Sequence, residues 1–149
     1  MLHFMDGEGA LFVDPTSSVY PMDDNIVVYG HNVKNGHLSG ELENYSVESY
    51  FQNNREILFD TLYETNCYEM VTVVQTHIKS EAEDGFWYYQ FFNYGTREEF
   101  QACVDFIQEN QIYDVENKMQ YGDKLLMLST CDYAQDNGRF VVVARKTVQ

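Results

Sequence analysis

Residues that could carry out acyl transfer lie at the predicted ends of strands. Cys131 closes the apolar run of residues 124–131, and polar residues follow it at once, which is typical of a buried strand entering a loop. A second predicted strand, residues 139–145, starts directly after an Asn-Gly pair and would bring Arg139 close to Cys131. A nearby positive charge lowers the pKa of a thiol and favours the nucleophilic thiolate. Cys131 is therefore a candidate nucleophile, although spacing alone leaves a structural role equally open.

A histidine at another predicted strand end is the best candidate for a general acid and base. The β-branched run of residues 25–31 ends in Gly30-His31-Asn32, a sequence that suits a turn projecting a side chain from the strand. From there His31 could protonate a leaving amine and later deprotonate an incoming one. The residues alone still favour a structural role for it. The other histidines, interpreted as partly exposed, are His3, His37 and His77.

The remaining thiols do not suggest a second site. Cys67 and Cys103 form no Cys-X-X-Cys pair with each other or with Cys131, and three cysteines leave one over. Neither a zinc site nor a disulfide framework is indicated. Cys103 lies on the apolar stripe of a predicted helix, where a cysteine usually behaves as an inert small hydrophobe.

That helix, residues 97–110, is the clearest element of the chain. Thr96 can cap it, and Glu98 and Glu99 suit the positive end of the helix dipole. Apolar residues recur on one face at helical spacing: Phe100, Cys103, Val104 and Ile107. The helix should pack this face on a sheet.

The other elements must form that sheet and its connections. Residues 10–14 predict a short strand, and residues 36–54 predict one or two short helices, the second with Ser46 as its cap and Glu48 in its first turn. Strands at 56–63 and 67–76 are expected to form a hairpin through residues 64–66. Aromatic runs such as residues 86–92 favour strands over helices as the main framework.

Composition limits the class of protein. The chain has 149 residues, of which 44% are apolar, enough for one globular domain spanning residues 1–149. A formal charge of −15 disfavours nucleic acid as a partner and is typical of an acidic, solvated surface. No basic segment followed by an apolar run is found at the N-terminus, and no stretch is long enough to cross a bilayer.

Three segments together resemble the sortase family of cysteine transpeptidases, most of all its class B. Tyr29-Gly30-His31-Asn32 resembles the histidine motif, residues 128–131 (Leu-Ser-Thr-Cys) the cysteine motif, and residues 138–143 the arginine strand. They occur in the family's order, and Met127 stands where Thr is usual. The resemblance covers residues 2–146, and the helix of residues 97–110 lies where class B sortases have a long helix.

The resemblance implies an α+β fold, mainly β, built on a sortase-type β-barrel. The start of the chain resembles a point inside a class B sortase, so we expect an amino-terminally truncated domain without the first strands and N-terminal helices. It implies a transpeptidase that uses His31, Cys131 and Arg139 and needs no cofactor or metal. Ser129, Thr130 and Asp132 are implied to contact the peptide.

The implied substrates are a sorting-signal peptide of surface proteins and an amine of a peptidoglycan precursor. Cys131 would attack a peptide carbonyl, Arg139 would stabilise the oxyanion or hold the substrate, and His31 would protonate the departing amine. The implied location is the outer face of the bacterial membrane or the cell wall. Two alternatives stay open: a cysteine hydrolase that uses water as acceptor, and a catalytically impaired remnant that only binds peptide.

Overall fold

The computed structural model describes residues 2–5, 11–14, 18, 22–30, 43–60, 65–77, 88, 91–115, 119–132 and 138–147. For residues 2–5, 11–13, 30, 43, 131 and 132 it describes the backbone alone.

Within these ranges, seven strands form a single sheet. They are β1 (Leu2–Met5), β2 (Leu11–Val13), β3 (Asn25–Gly30), β4 (Glu56–Asp60), β5 (Thr65–His77), β6 (Leu125–Asp132) and β7 (Gly138–Lys146). Their order is β1-β4-β5-β7-β6-β3-β2, and the pairs β1–β4 and β3–β6 are parallel while the others are antiparallel. The sheet curls into a half-barrel, so the prediction of a mainly β fold with helices is confirmed.

The described part of the chain also contains two α-helices, α1 (Glu48–Asn53) and α2 (Arg97–Asn110). The bounds of α2 are those predicted, and the Thr96 hydroxyl accepts a hydrogen bond from the Glu99 N–H at 3.2 Å. The prediction of Ser46 as a cap is wrong. Ser46 ends a 3-10 helix, Glu43–Ser46, and the N-cap of α1 is Val47, which makes no side-chain cap bond. The first turn of α1 begins one residue later because the Val47 carbonyl accepts from the Phe51 N–H.

The hairpin of β4 and β5 differs in its bounds from the prediction. Residues 65 and 66, expected in the turn, belong to β5 and pair with Asp60 and Phe59. Asn66, a residue type that favours turns, thus continues the ladder here, since pairing outweighs local propensity. Residues 61–64 lie outside the described part of the chain.

The aromatic run of residues 86–92 is not a strand in its described residues. Tyr88 lies in a 3-10 turn, and Phe91 and Phe92 have irregular backbone. Tyr88 and Phe91 nevertheless bury their rings. Their aromatic character therefore serves packing on the sheet and not pairing within it.

Core residues cover both faces of the central strands. One cluster includes Leu126 and Leu128 of β6, and the other includes Leu125 and Met127 together with the inner face of α2. Successive strand residues point to opposite faces, so a strand covered on both sides is apolar at every position. This is why residues 125–128 form a continuous hydrophobic run in the sequence.

Candidate active site

The predicted nucleophile lies near the end of β6, where the pairing with β7 places it beside the predicted arginine. Cys131 is the register partner of Arg139, and Asp132 is the partner of Gly138. The loop of residues 133–137 between them lies outside the described residues. The expectation that the two strands bring positions 131 and 139 together is met at the level of the backbone.

The strand that precedes the predicted histidine ends at the same edge of the sheet. β3 runs parallel to β6, and Gly30 is the register partner of Thr130. His31 itself is outside the described residues, but it follows Gly30 directly, as Cys131 follows Thr130. The ends of β3 and β6 and the start of β7 therefore share one rim of the sheet.

Arg139 holds a defined place at this rim. One of its terminal nitrogens donates to the carbonyl of Gly138 at 2.8 Å, and the residue is only partly exposed. Alternation along β7 puts Arg139 on the face of Val141 and Val143, which is the face covered by α2. Its charge is thus kept near the rim on the α2 side of the sheet.

Tyr29 adds a second polar group on that face. It is paired with Ser129 across β3 and β6, and its hydroxyl donates a hydrogen bond to the Asp14 carboxylate. Burial, followed by the charge of Asp14, raises the pKa of Tyr29 well above its usual range, while Arg139 acts in the opposite direction. Tyr29 therefore stays a neutral hydrogen-bond donor close to Arg139.

Two of the residues predicted to contact the peptide, Ser129 and Thr130, have buried side chains. Ser129 is 1% exposed, and its hydroxyl lies 2.8 Å from the hydroxyl of Tyr88. Thr130 is 2% exposed and points to the opposite face, with Leu128; among the described residues its hydroxyl has no hydrogen-bond partner. Neither side chain presents surface to a peptide in this structure. Of Asp132 the structure gives the backbone position alone.

Cys103 has the structural character expected of it. Cys103 is 0% exposed on the inner face of α2, and burial raises the pKa of its thiol to about 12. A thiol in this state is protonated at neutral pH and shielded from reagents. Cys67 is half-buried near the start of β5.

The described residues form neither a candidate metal site nor a membrane-spanning helix. They contain no group of three or more His, Cys, Asp or Glu side chains that could hold a metal ion. Within the same ranges, no helix has the length and apolar character required to cross a membrane.

Sequence reasoning missed two members of this polar face. In the sequence, Asp14 ends a predicted short strand and Tyr88 belongs to an aromatic run. Asp14 follows β2, which pairs with β3 so that Phe12 lies opposite Tyr29. No local pattern joins residue 14 to 29, or 88 to 129, because both contacts depend on the tertiary fold.

Known proteins resemble this chain in sequence. The family model described as Sortase domain matches residues 3–147. The chain is 23% identical over 140 residues to Sortase B of Staphylococcus aureus, a match that covers 93% of this chain and 54% of the relative.

Two solved structures show the same fold. A Staphylococcus aureus sortase B–substrate complex superposes with a TM-score of 0.77 at 22% identity, over 95% of this chain and 63% of that one. A sortase B complexed with triglycine gives a TM-score of 0.76 at 23% identity, over 93% of this chain and 63% of the other. The chain spans about half the length of the curated relatives it matches.

The family match extends over nearly the whole chain and includes all three segments on which the resemblance rested. The relatives and the similar structures carry the name sortase B, which confirms the likeness to class B. This chain belongs to the sortase family.

Proposed function

We propose that this chain is a cysteine transpeptidase whose site is made of Cys131, His31 and Arg139. The observation that carries the proposal is the register of β6 and β7, which pairs Cys131 with Arg139 in a chain of the sortase family. Parallel pairing of β3 with β6 supports the third member, since His31 is the next residue after the pair Gly30–Thr130.

The first half-reaction forms a thioester. The Cys131 thiolate attacks a peptide carbonyl carbon, and the Arg139 guanidinium balances the negative charge that develops on the carbonyl oxygen. The C–N bond then breaks, and the departing amine takes a proton from His31. Arg139 suits this task because its planar fork can donate two hydrogen bonds at once.

The second half-reaction transfers the acyl group. An acceptor amine attacks the thioester carbon, His31 takes its proton, and the C–S bond breaks to regenerate the thiolate. The chemistry needs no metal or organic cofactor. Water as acceptor would give hydrolysis through the same thioester, so the choice of acceptor distinguishes the two reactions.

We infer that the acyl donor is a sorting-signal peptide of surface proteins and that the acceptor is an amine of the cell wall. The similar structures named for a substrate complex and for a complex with triglycine support a peptide and an amine as the two partners. The corresponding place of action is the cell envelope.

Product analysis tests the proposal. The chain is incubated with a panel of sorting-signal peptides, with and without triglycine, and the products are identified by mass spectrometry. We expect a new amide between the cleaved peptide and triglycine, absent with Cys131→Ala and retained with Cys67→Ala. Equal amounts of hydrolysed peptide with and without triglycine, and no amide, would identify a hydrolase. Binding without cleavage would identify a peptide-binding remnant.

A further inference from the structure

We propose that Tyr88 is a positioning residue of this site. Its side chain holds Ser129 in place and thereby fixes the end of β6 that carries Cys131. The inference rests on the proposed transpeptidase function. It assigns a role to a residue outside the three motifs and revises the role expected for Ser129.

The central observation is a hydrogen bond between two buried hydroxyls. Tyr88 and Ser129 are each 1% exposed, and their oxygens lie 2.8 Å apart. A buried hydroxyl without a partner is costly, so each side chain is held by the other. Ser129 is two residues before Cys131 on the same strand. The bond therefore acts on β6 directly beside the predicted nucleophile.

Tyr88 is itself held in place by contacts of its ring and of its backbone. Its ring stacks on that of Phe106 in α2, with centroids 6.1 Å apart and an interplanar angle of 19°. Its carbonyl accepts from the Phe91 N–H at 3.1 Å, and the Phe91 carbonyl accepts from the Asn25 side chain at 2.6 Å. Tyr88 thus joins α2 and the base of β3 to the far end of β6.

The partner of the Tyr88 hydroxyl, Ser129, lies beside a polar residue of the rim. Ser129 is the register partner of Tyr29, and the charge of Arg139 lowers the pKa of Tyr29 against the larger effect of burial. Without the Tyr88 hydroxyl, the Ser129 hydroxyl would have to form its hydrogen bond with another polar group. The alignment of Cys131 with Arg139 would then be less well determined, and proximity effects in catalysis are sensitive to shifts of this kind.

Positioning differs from direct substrate contact in its kinetic signature. A side chain that binds the peptide equally in ground and transition states affects KM, whereas one that aligns the reacting groups affects kcat. The burial of Ser129 favours the second role. Ser129→Ala should accordingly behave like Tyr88→Phe.

The experiment compares Tyr88→Phe with a matched control. Tyr45→Phe removes the hydroxyl of a tyrosine that is as buried as Tyr88, 1% exposed, in the core cluster on the other face of the sheet. That hydroxyl donates to the Asn54 carbonyl at 2.8 Å. We expect Tyr88→Phe to lower kcat for peptide transfer to triglycine about tenfold, the equivalent of one hydrogen bond, with KM within about twofold. Tyr45→Phe should leave both constants within about twofold.

A double variant completes the test. If Tyr88 and Ser129 act through one contact, the pair Tyr88→Phe and Ser129→Ala should lower kcat no more than either change alone. The positioning role would be overturned if the two substitutions together lowered kcat by the product of their separate effects. It would also be overturned if Ser129→Ala raised KM alone, or if kcat for Tyr88→Phe equalled that of the Tyr45→Phe control.

A second readout separates this inference from the proposed function. The rate of Cys131 alkylation by iodoacetamide, followed by peptide mapping, requires no peptide substrate. If the wild-type chain transfers no peptide, the proposed function fails, and alkylation decides the role of Tyr88. A change of about fivefold or more in Tyr88→Phe, with the Tyr45→Phe control within about twofold, would support positioning. Equal rates in all three proteins would overturn it.

Discussion

Replacing Cys103 with alanine should change stability in a way that depends on pH. Cys103 is 0% exposed and packs in the cluster between α2 and the sheet. The substitution removes one buried sulfur atom and leaves a small void. Its cost at pH 7 should be about 1 kcal/mol, comparable to the loss of a buried methylene group.

Alkaline pH should cancel this cost, because burial raises the pKa of the Cys103 thiol from 9.0 to about 12. Between these values the unfolded chain releases the thiol proton while the folded chain retains it, so the free energy of unfolding falls as pH rises. At pH 10 the contribution of this one group is about 1.4 kcal/mol. The alanine variant, which lacks the ionising group, should then be at least as stable as the wild type.

Urea unfolding under reducing conditions at pH 7 and pH 10 measures both values. Val104→Ala provides the control, since Val104 lies on the same helix face and does not titrate. Its destabilisation should be the same at both pH values. A Cys103→Ala deficit that persists undiminished at pH 10 would refute the argument that the buried thiol remains protonated in the folded chain.

Three further predictions concern the α2 cap, the Arg139 guanidinium and the Cys131 thiol. Thr96→Ala should lower the free energy of unfolding by about 1 kcal/mol through loss of the α2 cap, while Ser46→Ala should change it by less than about 0.5 kcal/mol; equal effects in urea unfolding would contradict the cap assignment. Arg139→Lys should lower kcat about tenfold or more, because an ammonium cannot reproduce the guanidinium fork; unchanged turnover would exclude Arg139 from charge stabilisation. Cys131→Ala should abolish labelling by a peptide-mimicking electrophile and Cys67→Ala should not, so persistent labelling of the first variant would place the nucleophile elsewhere.

Local signals were sufficient where structure is determined locally. The helix α2 was predicted to its terminal residues because a capping threonine and an apolar stripe act within a few turns. The strands β6 and β7 were found because a continuous apolar run is typical of strands covered on both faces. The adjacency of positions 131 and 139 followed from the short connection between these strands.

Non-local contacts could not be predicted from single segments. Parallel pairing of β3 with β6 joins residues about a hundred positions apart, and no turn sequence marks it. The Tyr88–Ser129 hydrogen bond is of the same kind. Ser46 resembled a helix cap by residue type, but the backbone placed the start of α1 one residue later. Residue type predicts what a side chain can do, and tertiary packing decides which partner it has.

Intact-protein mass spectrometry tests the central claim most directly. The chain is mixed with a sorting-signal peptide in the absence of an acceptor amine, and the covalent species is located by fragmentation. We expect an acyl adduct on Cys131, lost on addition of triglycine as the peptide–triglycine amide appears. An adduct that forms in Cys131→Ala, or an amide that forms without any dependence on Cys131, would contradict the assignment of Cys131 as the nucleophile of a transpeptidase.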